Sequence, residues 1–541
     1  MHLKSQDKNF DGGWKSPVRM YSDDTFVWRI RPPINQGINQ VKFYTNLGSE
    51  NGTYHTILLV QNKEGYFEWQ QPAMRVGVYG LRVVFVTNNS EIFERDLPTR
   101  VIIDPATLRQ LSVYTLIPRA SGSIRSWRGW IEHAKSMGFN ALHLLPVTLP
   151  GPSGSPYAAA DLFSLDPAYL TSRGIRAPWA EWAKLVEFLK KEGVKLCIDL
   201  VLNHVAVDSH LCKHQKYLFI ADPTEPDGIK RAGWWGDTWN KWDDLALLNY
   251  RNEDLEARLE LWEIMRDYAL LWAEAAQLTG GYLRLDNFHS SDPFFMRYLL
   301  ACLRRRYPEL GIFTEFFAEP ALVARKSLSL GLNLQLATPW EEKFVPGVRG
   351  LFAYLHSEYP RQRFFTPINS HDSGSPAQEF GVSRSIYPRY ALSTLGGMGV
   401  TGMVQGVEFG IRNKLEFLPD LDKNEPTHED DYSQYISRIN RLFFNYPRFF
   451  ARAGNFILAD QGHNAIIAFY RTCPEEPQHP FLIVLNFDTH HSQELVITSL
   501  PAGFNQPRRL RDRLHSRDLL FPEFPWKIEL EPCQISIYQF A

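Results

Sequence analysis

Two rhythms of hydrophobic and polar residues divide the chain. From about Met20 to Asp104, apolar and polar side chains alternate between Gly, Asn and Pro, as in Val41-Lys42-Phe43-Tyr44 and Tyr79-Gly80-Leu81-Arg82-Val83. A period of two broken by turn residues predicts short strands with one buried face, and hence a β-sandwich. The first twenty residues are polar and read as loose. From Leu111 the rhythm changes to unbroken apolar runs at 113–117, 141–147, 195–202, 281–286, 312–317, 333–338, 365–370 and 400–404. Helical spacing fills the gaps, for example at 179–192 and 255–276. Strands apolar on both faces that alternate with helices belong to a parallel sheet covered by those helices. Eight of them predict a (β/α)8 TIM barrel. A doubly wound sheet is the competitor, but it usually has fewer strands, and no Gly-rich phosphate turn follows the first run.

The segment 203–249 is too long for a simple helical return and is rich in Trp (Trp234, Trp235, Trp239, Trp242). Long excursions in compact domains are usually functional, so this one is expected over the active-site face. After about Phe450 alternation returns, as in Ala465-Ile466-Ile467-Ala468-Phe469-Tyr470, and predicts an all-β end. The expected organisation is an N-terminal β-sandwich over 1–108, read as an accessory, glycan-binding module. A catalytic barrel over 109–445 follows, with a loop excursion at 203–250, and then a C-terminal β-sandwich over 446–541.

Composition narrows the partners. Lys+Arg 58 against Asp+Glu 60 gives a net charge of -2, so no global field recruits nucleic acid or an anionic membrane. The five cysteines are scattered without paired spacing, which predicts neither a disulfide framework nor a zinc site. The start Met1-His2-Leu3-Lys4-Ser5 has no apolar run, so no signal peptide is read there, and no run is long enough for a membrane span. The expectation is a cytoplasmic protein without cofactor or metal.

Chemistry gathers where the apolar runs end. The third ends Asp199-Leu200-Val201-Leu202-Asn203-His204, the fourth Arg284-Leu285-Asp286-Asn287-Phe288-His289, the fifth Thr314-Glu315-Phe316, and the seventh Asn369-Ser370-His371-Asp372. One Asp at a strand end can be a helix cap. Four such ends in register are hard to read that way, because barrel active sites sit at the carboxyl ends of the strands. A pair of carboxyl groups is what glycosidic cleavage needs: one acid to protonate the leaving oxygen, one carboxylate to attack from the other side. Arg284 shares a strand face with Asp286 and is expected to keep it ionised. Phe313 and Phe316-Phe317 flank Glu315 and favour its protonated form.

These strand ends resemble the signature blocks of the α-amylase superfamily (glycoside hydrolase family 13). Asp199 to His204 is similar to the first block, Arg284-Leu285-Asp286 to the second, Glu315 to the third and His371-Asp372 to the fourth. The resemblance implies Asp286 as nucleophile, Glu315 as acid/base and Asp372 as stabiliser of the transition state. It further implies that Tyr157 stacks under the sugar, and that His204, Arg284, His289 and His371 hold it. Asn203 matches a calcium-binding position of many amylases, but one Asn is not a site for a hard cation, so no metal is expected. Within the superfamily, Gly138 to Pro146, Ser155-Pro156-Tyr157 and Asp286-Asn287-Phe288-His289-Ser290 resemble the glucanotransferase part of glycogen debranching enzymes. Maltosyltransferases using maltose 1-phosphate share the Asp-Asn-x-His pattern. The implied partner is an α-glucan or maltooligosaccharide, cleaved or transferred through a glycosyl-aspartate. Another α-glucoside, or a barrel that only binds glycan, are the alternatives.

Overall fold

The computed structural model describes residues 2–4, 18–30, 37–49, 52–71, 75–88, 92–94, 99–171, 177–359, 361–418, 430–453 and 455–541. Most of the polar start read as loose, residues 5–17, lies outside the described residues. Eight parallel strands close into a barrel: β1 (Leu111–Leu116), β2 (Ala141–Leu144), β3 (Lys195–Leu200), β4 (Tyr282–Leu285), β5 (Gly311–Thr314), β6 (Leu334–Leu336), β7 (Phe364–Pro367) and β8 (Val400–Val404). Each pairs with its neighbour in sequence, and β8 returns to β1. All eight predicted runs are strands, but several stop early. β4 ends before Asp286, β5 before Glu315 and β7 before Asn369. The candidate residues therefore begin the loops that leave the rim.

Alternation decides what reaches that rim. Inward side chains low in the barrel, among them Val113, Ala141, Cys197, Tyr282, Phe313 and Phe365, form one apolar plug. Two residues further along the same faces stand Thr115, His143, Asp199, Arg284 and Glu315. Outward side chains such as Leu196, Ile198, Leu283 and Leu285 join the core beneath the helices. The helix α1 (Leu255–Leu278) runs in before β4, its N-terminus capped by Asp254, which accepts from Glu256 and Ala257. The helix α2 (Pro293–Arg306) leaves after β4 with Asp292 as cap, Pro at its first turn and three arginines in its last.

The excursion after β3 is a three-stranded antiparallel sheet of His204–Ala206, Trp239–Leu247 and Arg231–Trp235. Before the barrel, a mixed sheet built on Gly77–Thr87 faces a smaller sheet of His2–Lys4, Phe26–Ile30 and Phe67–Gln71. Trp28 meets Phe43 edge to face at 4.5 Å between them. This unit grips the floor of the barrel, the end away from the rim. Buried Arg19 donates to both Asp104 oxygens at 2.5 and 2.8 Å and to the Leu332 carbonyl at 2.6 Å, just before β6. After the barrel, Phe456–Leu458, Ile466–Arg471, Phe481–Asn486, Ile535–Phe540, Arg509–Asp512 and Arg517–Leu520 form one sheet, with a two-stranded ribbon of Gln493–Ile497 and Trp526–Leu530.

Candidate active site

The ladder that places Arg284 places the carboxylates around it. Asp199 is the register partner of Arg284 across β3 and β4. The ladder continues one residue past the strands, since Asp286 N–H donates to the Leu200 carbonyl and Glu315 N–H to the Leu285 carbonyl. Arg284 Nη1 lies 2.6 Å from Asp199 Oδ2 and 2.8 Å from Asp286 Oδ1, while Nη2 lies 3.1 Å from Glu315 Oε2. One guanidinium thus holds three carboxylates. Asn287, turned into the left-handed region at φ 47°, donates its N–H to Glu315 Oε2 at 2.9 Å, which locks the loop after Asp286 to the neighbouring strand end.

The expectation that Arg284 keeps Asp286 ionised is corrected here. Burial, with Glu315 and Asp199 beside it, pushes the Asp286 carboxyl well above the usual carboxylate range, and the pull of Arg284 does not offset this. Burial acts on Asp199 too, but Arg284 and His143 outweigh it and hold Asp199 down to about 2. The physical reason is sharing. Asp199 sits closest to the cation and has His143 Nε2 3.4 Å away, and its own negative charge opposes ionisation of Asp286.

A second chain of contacts leads to Asp372. Tyr157 Oη donates to Asp199 Oδ2 at 3.0 Å and lies 2.6 Å from His371 Nε2. The rings of Tyr157 and His371 are nearly parallel, 11° apart at 5.5 Å. His371 Nε2 is also 3.2 Å from Asp372 Oδ2, whose side chain is 58% exposed. Burial lowers His371 to about 4, so its ring is neutral near pH 7 and contributes hydrogen bonding rather than charge. His204 is likewise lowered to about 4 by burial, and among the described residues neither ring nitrogen has a hydrogen-bond partner of good geometry. His289 stands on the turn after Asp286, 6.0 Å from the Phe317 ring, with its pKa lowered by burial against the opposing pull of Glu315. Glu315 and Asp372 line one cleft of about 440 Å³ with Phe317 and Trp340.

The structure therefore joins Arg284, Asp286 and Glu315 directly, and Tyr157, His371 and Asp372 through Asp199. The Trp cluster stands apart at the tip of the excursion hairpin. Trp234, Trp235 and Trp242 are 54, 75 and 39% exposed, and Trp235 packs edge-on against Trp239 at 5.3 Å. Sequence reading missed His143, which accepts or donates at Thr115 Oγ1 (3.1 Å) behind Asp199. Its signal was present: it is two residues after inward Ala141, one layer from the end of β2. Among the described residues, Asn203 Oδ1 is buried without a hydrogen-bond partner, and no group of three or more His, Cys, Asp or Glu is arranged to hold a metal ion. No helix among the described residues is long and apolar enough to cross a membrane.

The barrel fold has counterparts among known proteins. Residues 105–216 match the family model described as glycogen debranching enzyme, glucanotransferase domain. The α-1,4-glucan:maltose-1-phosphate maltosyltransferase of Picrophilus torridus is 23% identical over 73% of this chain and 63% of its own length. That of Pseudomonas aeruginosa is 23% identical over 74% of this chain and 62% of its own. The chain thus spans less than two thirds of these curated relatives. An α-amylase from Lactobacillus plantarum superposes with a TM-score of 0.64 at 17% identity, covering 80% of this chain and all (100%) of that one. A trehalose-6-phosphate hydrolase from Bacillus licheniformis does so with a TM-score of 0.60 at 14% identity, over 81% of this chain and 100% of that one.

Proposed function

We propose that this protein of the α-amylase superfamily is a retaining enzyme that breaks and remakes α-1,4-glucosidic bonds of glycogen- or starch-type glucans through a covalent glycosyl-aspartate. The observation that carries the reading is the pair Asp286 and Glu315 on adjacent nitrogens of Arg284 at neighbouring strand ends. Two carboxyl groups on one guanidinium cannot both ionise freely, and the raised proton affinity of Asp286 leaves one proton with the pair. Catalysis needs that proton on Glu315. Positive charge developing at the anomeric carbon lies against Asp286 and favours its ionised form, which leaves the proton to Glu315.

Glu315 then protonates the leaving glycosidic oxygen as Asp286 attacks the anomeric carbon. In the second half, an acceptor O–H gives its proton to Glu315, its oxygen bonds to the anomeric carbon, and Asp286 departs. Tyr157 offers a flat face beneath the sugar at the cleavage point. His204 and His371, both neutral, bond its hydroxyls, as does exposed Asp372, and His289 flanks the acid. Asp199 and His143 position Arg284 and Tyr157. The sheets before the barrel act as an accessory unit.

The acceptor decides between transfer and hydrolysis. Exposed indoles on the hairpin that grows from His204 are suited to stack a second glucan, raising its local concentration over water. Transfer is therefore the favoured reading, in line with the glucanotransferase match. The test is chromatography of the products from one pure maltooligosaccharide. Longer and shorter chains with little net gain in reducing ends support transfer. Steady release of reducing ends without longer products indicates hydrolysis, phosphate-dependent release of a sugar phosphate indicates the maltosyltransferase chemistry named for the relatives, and inertness sinks the reading.

A further inference from the structure

Beside the glucan cleft lies a second cavity, of about 420 Å³, between the barrel and the C-terminal sheet, with Lys343, Arg389 and Thr489 on its wall. Arg389 is only 8% exposed. Buried Arg471 donates to the carbonyls of Phe449, Arg452 and Gly397 at 2.7 to 3.0 Å. Arg389 has, among the described residues, one long bond to the Glu342 carbonyl at 3.5 Å and no carboxylate within ion-pair distance. Its guanidinium carbon lies 3.1 Å from the centre of the Phe380 ring and 5.2 Å from that of Phe487. A guanidinium hydrogen-bonds in its own plane, so aromatic contact leaves the N–H edges free for a ligand.

We propose that this cavity binds a phosphate group, with Arg389 as the in-plane clamp and Lys343 as the second cation. Arginine's fork matches phosphate oxygens two at a time, and lysine adds a point charge. Glu379 on the same wall is paired with Lys343, so two cations against one carboxylate leave the cavity with net positive charge. Burial holds Arg389 down to about 9, as expected of a cation with too few partners, and an anion in its plane reverses that penalty. Lys343 and Glu379 also line the glucan cleft, and Glu379 Oε1 accepts the N–H of Gly374 at 2.8 Å, two residues after Asp372. Phosphate competing for Lys343 would be felt at that loop. This consequence rests on the proposed glucan site, whereas the binding does not.

The source is either free phosphate or the phosphoryl group of a sugar phosphate. Calorimetric titration of the full-length protein with inorganic phosphate and with α-glucose 1-phosphate, without glucan, separates them. Millimolar or tighter binding is expected, weakened about tenfold or more in Arg389→Gln and in Lys343→Gln. Equal affinity for both ligands shows that the phosphate alone is recognised, and a tighter sugar phosphate shows that its sugar contributes. Absence of binding by both ligands overturns the proposal. So does binding that Arg389→Gln leaves unchanged, because that phosphate would sit in the cleft. Should Arg389→Gln fail to fold, Arg389→Lys, which keeps the charge but loses the planar fork, decides, and unchanged affinity there overturns the site. A protein inert on glucans that still binds phosphate in this way sinks the proposed function and keeps the site.

Discussion

Asp199 and Asp286 share one donor, Nη1 of Arg284, at 2.6 and 2.8 Å. The nearer partner, Asp199, takes most of the cation's effect, and Asp286 is left with a raised proton affinity. The pair must carry one proton for Glu315 to act as acid, so activity falls as pH rises through this raised pKa. Asp199→Asn removes a like charge and frees Arg284 for Asp286. The basic limb of the kcat/KM profile is expected to move to lower pH, while kcat falls by about 10- to 100-fold because Tyr157 and His143 lose their anchor. A limb that stays in place or moves up contradicts the sharing.

Asp286→Asn is expected to cost on the order of 10⁴ or more in kcat. It should also stabilise the fold. Native Asp286 binds its proton more tightly than the unfolded chain does, so stability falls as pH rises from the usual carboxylate range through the raised pKa. Asparagine removes that penalty. Thermal melts should show Tm up by about 2 °C at neutral pH, with the gain shrinking toward acid pH. A lower Tm at neutral pH refutes the electrostatic account, and activity near wild type refutes the nucleophile.

Glu315→Gln keeps a side chain able to bond the Asn287 N–H and remove no volume, so the loop should stay in place. Natural glucans are expected to lose about 10²- to 10⁴-fold in rate, and substrates with activated leaving groups far less, since those need little protonation. Equal losses on both would point to another acid.

Arg19 and Asp104 form a fully buried pair that also carries the Leu332 carbonyl and the Asn333 side chain on the barrel floor. Arg19→Ala leaves Asp104 buried without its cation and is expected to cost about 3–5 kcal/mol in denaturant unfolding. KM for short oligosaccharides should be unchanged, because the pair sits at the opposite end of the barrel from Asp286. Deleting the chain up to about Asp104 would accordingly strip the floor of these contacts.

What the sequence determined by itself is whatever local periodicity and residue choice encode. Eight apolar runs separated by helical spacing were enough for the barrel, and the carboxylates, the arginine and the histidines at four run ends were enough to nominate Asp286, Glu315 and Asp372 together. Strand ends were overrun at β4, β5 and β7, since an inward-facing site residue continues the same alternation that defines the strand. His143 escaped notice for a related reason: in sequence it is one polar residue within a buried run, and only barrel closure sets it behind Asp199. The charge state of Asp286 was decided by tertiary structure alone. Sequence shows that Arg284 and Asp286 share a face of one strand, but not that Asp199, 85 positions away, arrives from β3 to take the same nitrogen. Electrostatics depends on every charge within a few ångströms, and which charges those are is fixed by register between strands, not by spacing along one. The same holds for Arg389, whose two aromatic neighbours come from the barrel side and the C-terminal sheet and meet only in the folded chain.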